Sequence, residues 1–311
     1  MKQTVRRGKP WRVLGFGLLI VVAWGTWGTA PVVAADEPLR IIAFGAHPDD
    51  CELNLSGVAL LWTRLGHKVK FVSATNGDIG HSIEAGGPLA LRRTHEVEEV
   101  AKVLGIDTQV LDIHDGEIMP TLENRRTFIR LIREWRADIV ICNRPNDYHP
   151  DHRYTSILVQ DAAYMVTVPF ICPDTPILEN NPVFMYWPDR FQKPYPFDPQ
   201  IVVDIEEVFP LKLKALTKLV SQLFEYGANG MGDASKFFQG DEAAQIDFLQ
   251  KRMEGRQRVR ESWKPVLEKW YGKKGAAKVT NVEAFEICEY GRQPNDKEIL
   301  RLFPFLPKNP E

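Results

Sequence analysis

Two short segments of the 311-residue chain carry residue types that can hold a divalent metal and move protons. They are Ala46-His47-Pro48-Asp49-Asp50 and Asp147-Tyr148-His149-Pro150-Asp151-His152. Each contains His-Pro-Asp followed by another metal-capable residue. Proline suits the first position of a helix, so His47 and His149 are expected where a strand turns into a helix. Residues three apart then share one face of the first turn. Two histidines and an aspartate form a nitrogen and oxygen donor set suited to zinc, which takes three protein ligands in catalytic sites and keeps one position open. Other divalent metals accept the same donors. A further aspartate beside such a set can take the proton that an attacking water must lose. A lone histidine at either place would serve equally well as a helix cap; two such segments together are what mark a site.

The surrounding sequence says how the two segments meet. From Leu39 onward, short β-rich runs alternate with longer runs of helical period, the pattern of a parallel sheet with crossover helices. Strands are predicted at Leu39–Gly45, Lys68–Ala74, Gln109–Ile113 and Asp138–Cys142. Helices are predicted at Glu52–Leu65, from about Pro88 to Leu104, and at Leu122–Trp135, the last with Phe128, Ile129, Leu131, Ile132 and Trp135 on its buried side. Both His-Pro-Asp segments follow strands, so both are expected at the carboxyl edge of the sheet, where ligand crevices form. The fold expected is α/β, a Rossmann-like, mostly parallel sheet flanked by helices, with an elaborated C-terminal region. Residues 39–163 form the motif-bearing half and 164–311 a loop-rich and helical remainder. Residues 164–200 hold eight prolines and eight aromatics, which reads as a proline-bent loop packed on the core with one edge strand at Val183–Trp187. A further strand is expected at Ile201–Ile205, a helix at Pro210–Tyr226, a glycine-rich loop at Gly227–Gly240 and helical structure across Asp241–Trp270.

Composition narrows the class of partner. With 44% hydrophobic and 26% charged residues the chain is ordinary globular protein, neither disordered nor multi-spanning. The formal net charge is −2, yet residues 1–35 hold five basic residues (Lys2, Arg6, Arg7, Lys9, Arg12) and no acid. Without them, 34 basic residues face 41 acidic ones, a net −7, so there is no electrostatic case for nucleic acid. The basic start, the apolar run Val13–Ala30 and the small residues Val33-Ala34-Ala35 describe a secretory signal peptide, with the mature protein starting near Asp36. An uncleaved membrane anchor is the alternative, disfavoured by four glycines in the run. Export to the periplasm or the extracellular space is expected, with no permanent membrane span once the signal is cleaved. The four cysteines, Cys51, Cys142, Cys172 and Cys288, show no CxxC spacing and read as small buried residues. No nucleophile-elbow GxSxG and no GxxxxGK[ST] phosphate loop is present.

In their order along the chain, Ala46-His47-Pro48-Asp49-Asp50, Thr75-Asn76-Gly77-Asp78, Arg93-Thr94-His95-Glu96 ahead of Leu104-Gly105, and His149-Pro150-Asp151-His152 resemble the PIG-L/LmbE family of zinc-dependent N-deacetylases. The likeness covers residues 39 to about 163 and continues more weakly through Val203-Asp204-Ile205 and Ser221-Gln222. Where that family often carries a histidine two residues before this Ser-Gln, the present chain has Leu219. The resemblance implies that His47, Asp50 and His152 bind the metal, that Asp49 is the general base, and that His149 polarises the substrate carbonyl and stabilises the oxyanion. It also implies that Arg93 meets substrate hydroxyl or phosphate groups, where a guanidinium fork suits better than a lysine. Asn76 and Asp78 are expected to line the pocket or to make the turn that Asn-Gly signals. His81 is expected to be a solvated loop residue, and His67 and His114 strand-border residues.

The function expected is an exported, metal-dependent hydrolase with Zn2+ as cofactor, removing the N-acetyl group from an amino sugar or glycoconjugate and releasing acetate. A secreted carbohydrate-binding protein on the same scaffold is the alternative from another class, although Asp49 would then have no task. An amidase of a thiol-sugar conjugate is the alternative among enzymes, and the signal peptide speaks against it because those reactions are cytosolic.

Overall fold

The computed structural model describes residues 37–225 and 241–308. The signal segment at 1–35 and the glycine-rich loop expected at Gly227–Gly240 lie outside them. From Pro38 onward the chain forms one unit. It begins with β1 (Arg40–Gly45), α1 (Asp50–Arg64), β2 (Lys68–Ser73), α2 (Gly87–Leu104), β3 (Asp107–Val110), α3 (Leu122–Trp135), β4 (Ile139–Cys142) and α4 (Pro150–Met165). β5 (Val183–Tyr186), β6 (Ile201–Asp204), α5 (Phe209–Leu216) and α6 (Val220–Leu223) follow. α7 (Glu242–Gln257), α8 (Lys264–Ala276), β7 (Val282–Ile287) and α9 (Asp296–Leu302) complete it.

The strands form one seven-stranded sheet in the order β3-β2-β1-β4-β5-β7-β6. β1 through β5 pair in parallel, whereas β7 runs antiparallel to both β5 and β6. The α/β expectation is met. After Arg40, β1 is apolar because it is covered on both faces, as parallel strands are: Ile41 and Ala43 belong to the core with α1, α2 and α5, and Ile42 and Phe44 to the core with α3 and α4.

Several elements differ from expectation. The strand at Val183 pairs on both sides, with β4 and β7, and is interior rather than an edge. The third strand lies at Asp107–Val110, ahead of the predicted Gln109–Ile113. The helix expected from Pro210 is broken between α5 and α6, and the helical stretch from Asp241 is broken between α7 and α8. β7 and α9 have no counterpart in the sequence reading. β7 (Val-Glu-Ala-Phe-Glu-Ile) sets Glu283 and Glu286 three apart, on opposite faces of the strand, and all of its residues but Ile287 are buried. All four cysteines are free and buried, as small hydrophobes would be. Among the described residues no helix is long and apolar enough to cross a membrane.

Candidate active site

In the order 3-2-1-4, successive connections leave β1 toward opposite edges of the sheet, which opens a crevice at the carboxyl ends of β1 and β4. The two His-Pro-Asp segments emerge there. The second follows expectation: Pro150 opens α4, and His149 is its N-cap, with Nδ1 accepting from the Asp151 amide at 3.2 Å. The first does not, because α1 begins at Asp50 and Pro48 lies in the preceding turn. That turn is tight. A Cβ on Gly45 would come within 2.6 Å of the Asp50 Cβ, so only glycine lets the helix start this close to the strand end.

Three donor atoms converge in the crevice. His152 Nε2 lies 3.2 Å from His47 Nδ1, and Asp50 Oδ2 lies 3.6 Å from each. Donors about 2.1 Å from a tetrahedral centre sit roughly 3.4 Å apart, so this set fits a zinc-sized cation. The outer nitrogens are held as well. His47 Nε2 meets Asp115 Oδ1 at 3.0 Å, and His152 Nδ1 meets Asp147 Oδ1 at 3.0 Å. A carboxylate on the far nitrogen is what orients a metal-binding histidine. His47, Asp115 and Asp151 also come close enough to hold a cation, as do His47, His149 and His152. The first grouping would spend on a metal the carboxylates that orient His47. The second would leave out Asp50, whose Oδ2 is aimed by the amides of Ala46 and His47 at 2.9 Å each.

The electrostatics suit a positive guest. Burial disfavours a charged His47, but Asp115, Asp151 and Asp50 outweigh it and hold its pKa well above the ordinary imidazole value. Burial likewise raises Asp50, and its neighbours His152 and His47 more than reverse this, leaving it below the usual carboxylate range. Asp49 goes the other way, raised by burial and then by the charge of Asp50. His149 is lowered by burial and by the nearby His47 and His152. Its ring is therefore neutral at pH 7, and because Nδ1 accepts the Asp151 amide, the proton sits on Nε2.

The site opens into a cavity of about 840 Å³ lined by His47, Asp49, Asp50, His149 and His152 among others. The other expected residues fall differently. Arg93 reaches the cavity lining, but Nη1 donates to the Gly77 carbonyl at 2.6 Å and Nη2 to that of Gly80 at 2.8 Å. Its guanidinium clamps the 76–86 loop, in which Gly77 has a φ of 69°. Asn76 and Asp78 are buried and not among the lining residues. Asn76 Oδ1 accepts from the Asp78 amide, the turn that Asn-Gly signalled. Asp78 accepts from the Asp115 amide at 3.1 Å and meets His114 Nδ1 at 2.6 Å. It therefore steadies the carboxylate that orients His47, and it also partners His114. His81 is buried rather than solvated. Leu219 lies in the core, while Gln222 lines the cavity and donates to the Pro48 carbonyl.

Residues 42–163 match the family profile described as PIG-L: GlcNAc-PI de-N-acetylase. Over 192 residues, 60% of this chain and 71% of the relative, the sequence is 30% identical to the diacetylchitobiose deacetylase of Thermococcus kodakarensis. The chain belongs to the PIG-L family. Solved structures extend the PIG-L likeness to most of the fold. The N,N'-diacetylchitobiose deacetylase of Pyrococcus horikoshii, in complex with an inhibitor, superimposes with a TM-score of 0.62 at 23% identity, covering 82% of this chain and 85% of that one. GalB, the 4-carboxy-2-hydroxymuconate hydratase of Pseudomonas putida, does so with a TM-score of 0.63 at 16% identity, covering 83% and 99%. A deacetylase and a hydratase resemble this PIG-L chain equally well, so the fold does not choose the reaction and the site must.

Proposed function

We propose that the protein is an exported, zinc-dependent N-deacetylase acting on an N-acetylated amino sugar or glycoconjugate and releasing acetate. The observation that carries this reading is the convergence of His47 Nδ1, Asp50 Oδ2 and His152 Nε2 in one cavity that also holds Asp49 and His149. The family membership and the deacetylase named among its relatives support it.

Zinc held by His47, Asp50 and His152 would supply Lewis acidity toward the acetyl carbonyl and the attacking water. The chain's own residues supply the rest. Asp49, held above the ordinary carboxylate value by burial and Asp50, has the raised basicity needed to take a proton from water and return it to the departing amine. His149 donates its Nε2 proton to the carbonyl oxygen as negative charge builds there. Arg93 acts as a positioning residue, holding the loop that carries Asn76 and Asp78.

The test is acetate release by the purified protein from a panel of N-acetylated sugars, with zinc added or chelated. Zinc-dependent release is expected, falling at least about a hundredfold in Asp49→Asn while bound metal stays at wild-type level. Metal loss in that variant would make Asp49 a ligand instead, and absence of release from every sugar by zinc-loaded protein would return the balance to a carbohydrate-binding protein. Export is tested separately. Mass spectrometry of protein recovered outside the cytoplasm is expected to give an N-terminus near Asp36; a chain starting at Met1 on the membrane would identify an anchor.

A further inference from the structure

Buried tryptophans usually hand their indole N–H to an acceptor. Trp62, Trp135 and Trp270 do so, donating to the backbone carbonyls of Leu302, Ile41 and Gln200, each at 2.9 Å. Trp187 and Trp263 are 5% and 1% exposed, and neither indole N–H donates to a protein group among the described residues. Both line the cavity. Gln257 lines it too and is 3% exposed. Its Nε2 donates to the Leu53 carbonyl at 3.2 Å, and because a carbonyl only accepts, this fixes the orientation of the amide. The Oε1 left over is buried without a hydrogen-bond partner.

The cavity thus offers two neutral donors and one neutral acceptor that the protein itself does not use. None comes from the ends of β1 and β4, which carry the metal donors: Trp187 follows β5, Gln257 closes α7 and Trp263 precedes α8. An apolar chain seated against them would leave all three unpaired, which buried polar groups tolerate poorly. An anion would suit the indoles but not Gln257 Oε1, and a cation the reverse. A hydroxyl both donates and accepts, and a sugar ring adds C–H faces that pack on indole. At about 840 Å³, the cavity stands near the top of the range for small-ligand pockets, about 300 to 1,000 Å³, and leaves room beyond a single ring. We infer that Trp187, Gln257 and Trp263 form a second subsite, which selects substrates by binding the hydroxyl groups of an uncharged sugar ring linked to the one that loses its acetyl group. This deepens the deacetylase reading and rests on it.

Calorimetric titration of the zinc-loaded protein with three neutral ligands provides the test. They are N-acetylglucosamine, N,N'-diacetylchitobiose and the cyclohexyl β-glycoside of N-acetylglucosamine, whose second ring carries no hydroxyl. The disaccharide is expected to bind at least about tenfold tighter than either of the others. That advantage is expected to fall below about threefold in Trp187→Phe/Trp263→Phe, which keeps aromatic rings and removes the N–H groups, and to shrink by about threefold in Gln257→Met. Bound zinc and affinity for the monosaccharide are expected to stay at wild-type level, which controls for folding. Should the double variant lose these as well, the wild-type comparison of disaccharide with cyclohexyl glycoside decides alone. Equal affinity for those two ligands, or an advantage untouched by the variants, overturns the inference. If the hydroxyl preference holds but none of the three ligands loses acetate, the subsite stands and the deacetylase reading fails; acetate release from all three at equal affinity means the reverse.

Discussion

At the scale of single residues, the site is built in two layers. Three side chains present lone pairs to one point, and two carboxylates, Asp115 and Asp147, set the tautomer and angle of the histidines among them. The layers are predicted to differ in consequence. His152→Ala removes a donor and should abolish zinc retention, whereas Asp115→Asn and Asp147→Asn should leave the ligands in place and weaken affinity by about ten- to a hundredfold. Competition with a chromophoric chelator measures all three, and full metal occupancy in His152→Ala would refute the ligand set. His47 and His152 were legible from the His-Pro-Asp pattern. Asp115 was not, because it lies in a loop after β3 and nothing in its local sequence separates it from any other turn aspartate. The cue was the adjacency of His114 and Asp115, which becomes meaningful only once Asp78 is seen to hold both.

At the scale of elements, α1 carries the burden. Its first residue is a proposed ligand, and its first turn buries Glu52, whose Oε2 has no hydrogen-bond partner. Burial, helped by Asp49 and Asp50, pushes the Glu52 carboxyl up to about 8 from an ordinary 4.5. The native state thus keeps a proton that the unfolded chain releases. The Glu52 contribution to stability is therefore greatest below pH 4.5, declines by up to about 1.4 kcal/mol per pH unit, and levels off above pH 8. Urea unfolding in the presence of a chelator should show this slope in the wild type and its loss in Glu52→Gln; parallel profiles would remove Glu52 as the source. α2 has a simpler task. Arg93, read in sequence as a candidate substrate contact, is turned inward to two loop carbonyls, because a buried guanidinium must find acceptors and the glycine-rich loop offers bare backbone at close range.

At the scale of the whole molecule, the C-terminal strand locks the site-bearing helix. Glu283 of β7 accepts from the amides of Gly57 and Val58 within α1, at 2.9 and 2.7 Å. Lys212 of α5 pairs with Glu283 at 2.6 Å and donates to the Leu53 carbonyl of α1 at 2.8 Å. Both side chains are buried. Lys212→Met would strand the carboxylate inside the protein, and a loss of about 3 to 5 kcal/mol in unfolding free energy is expected. A loss under about 1 kcal/mol would show that the pair does not join these elements.

The sequence by itself determined the parallel α/β half, since period-2 and period-3.6 runs are local, and it located the two segments that meet at the carboxyl edge. Tertiary structure alone decided the rest. β7 was invisible because two acids interrupt its apolar run, and their partners come only with folding: α1 amides and Lys212 for Glu283, the Asp198 amide for Glu286. The arginines of the cavity lining, Arg190, Arg252, Arg256 and Arg260, come from the stretch after β5, from α7 and from the α7–α8 connection. Ordinary and scattered along the chain, these charges come together only when folding brings them to one cavity.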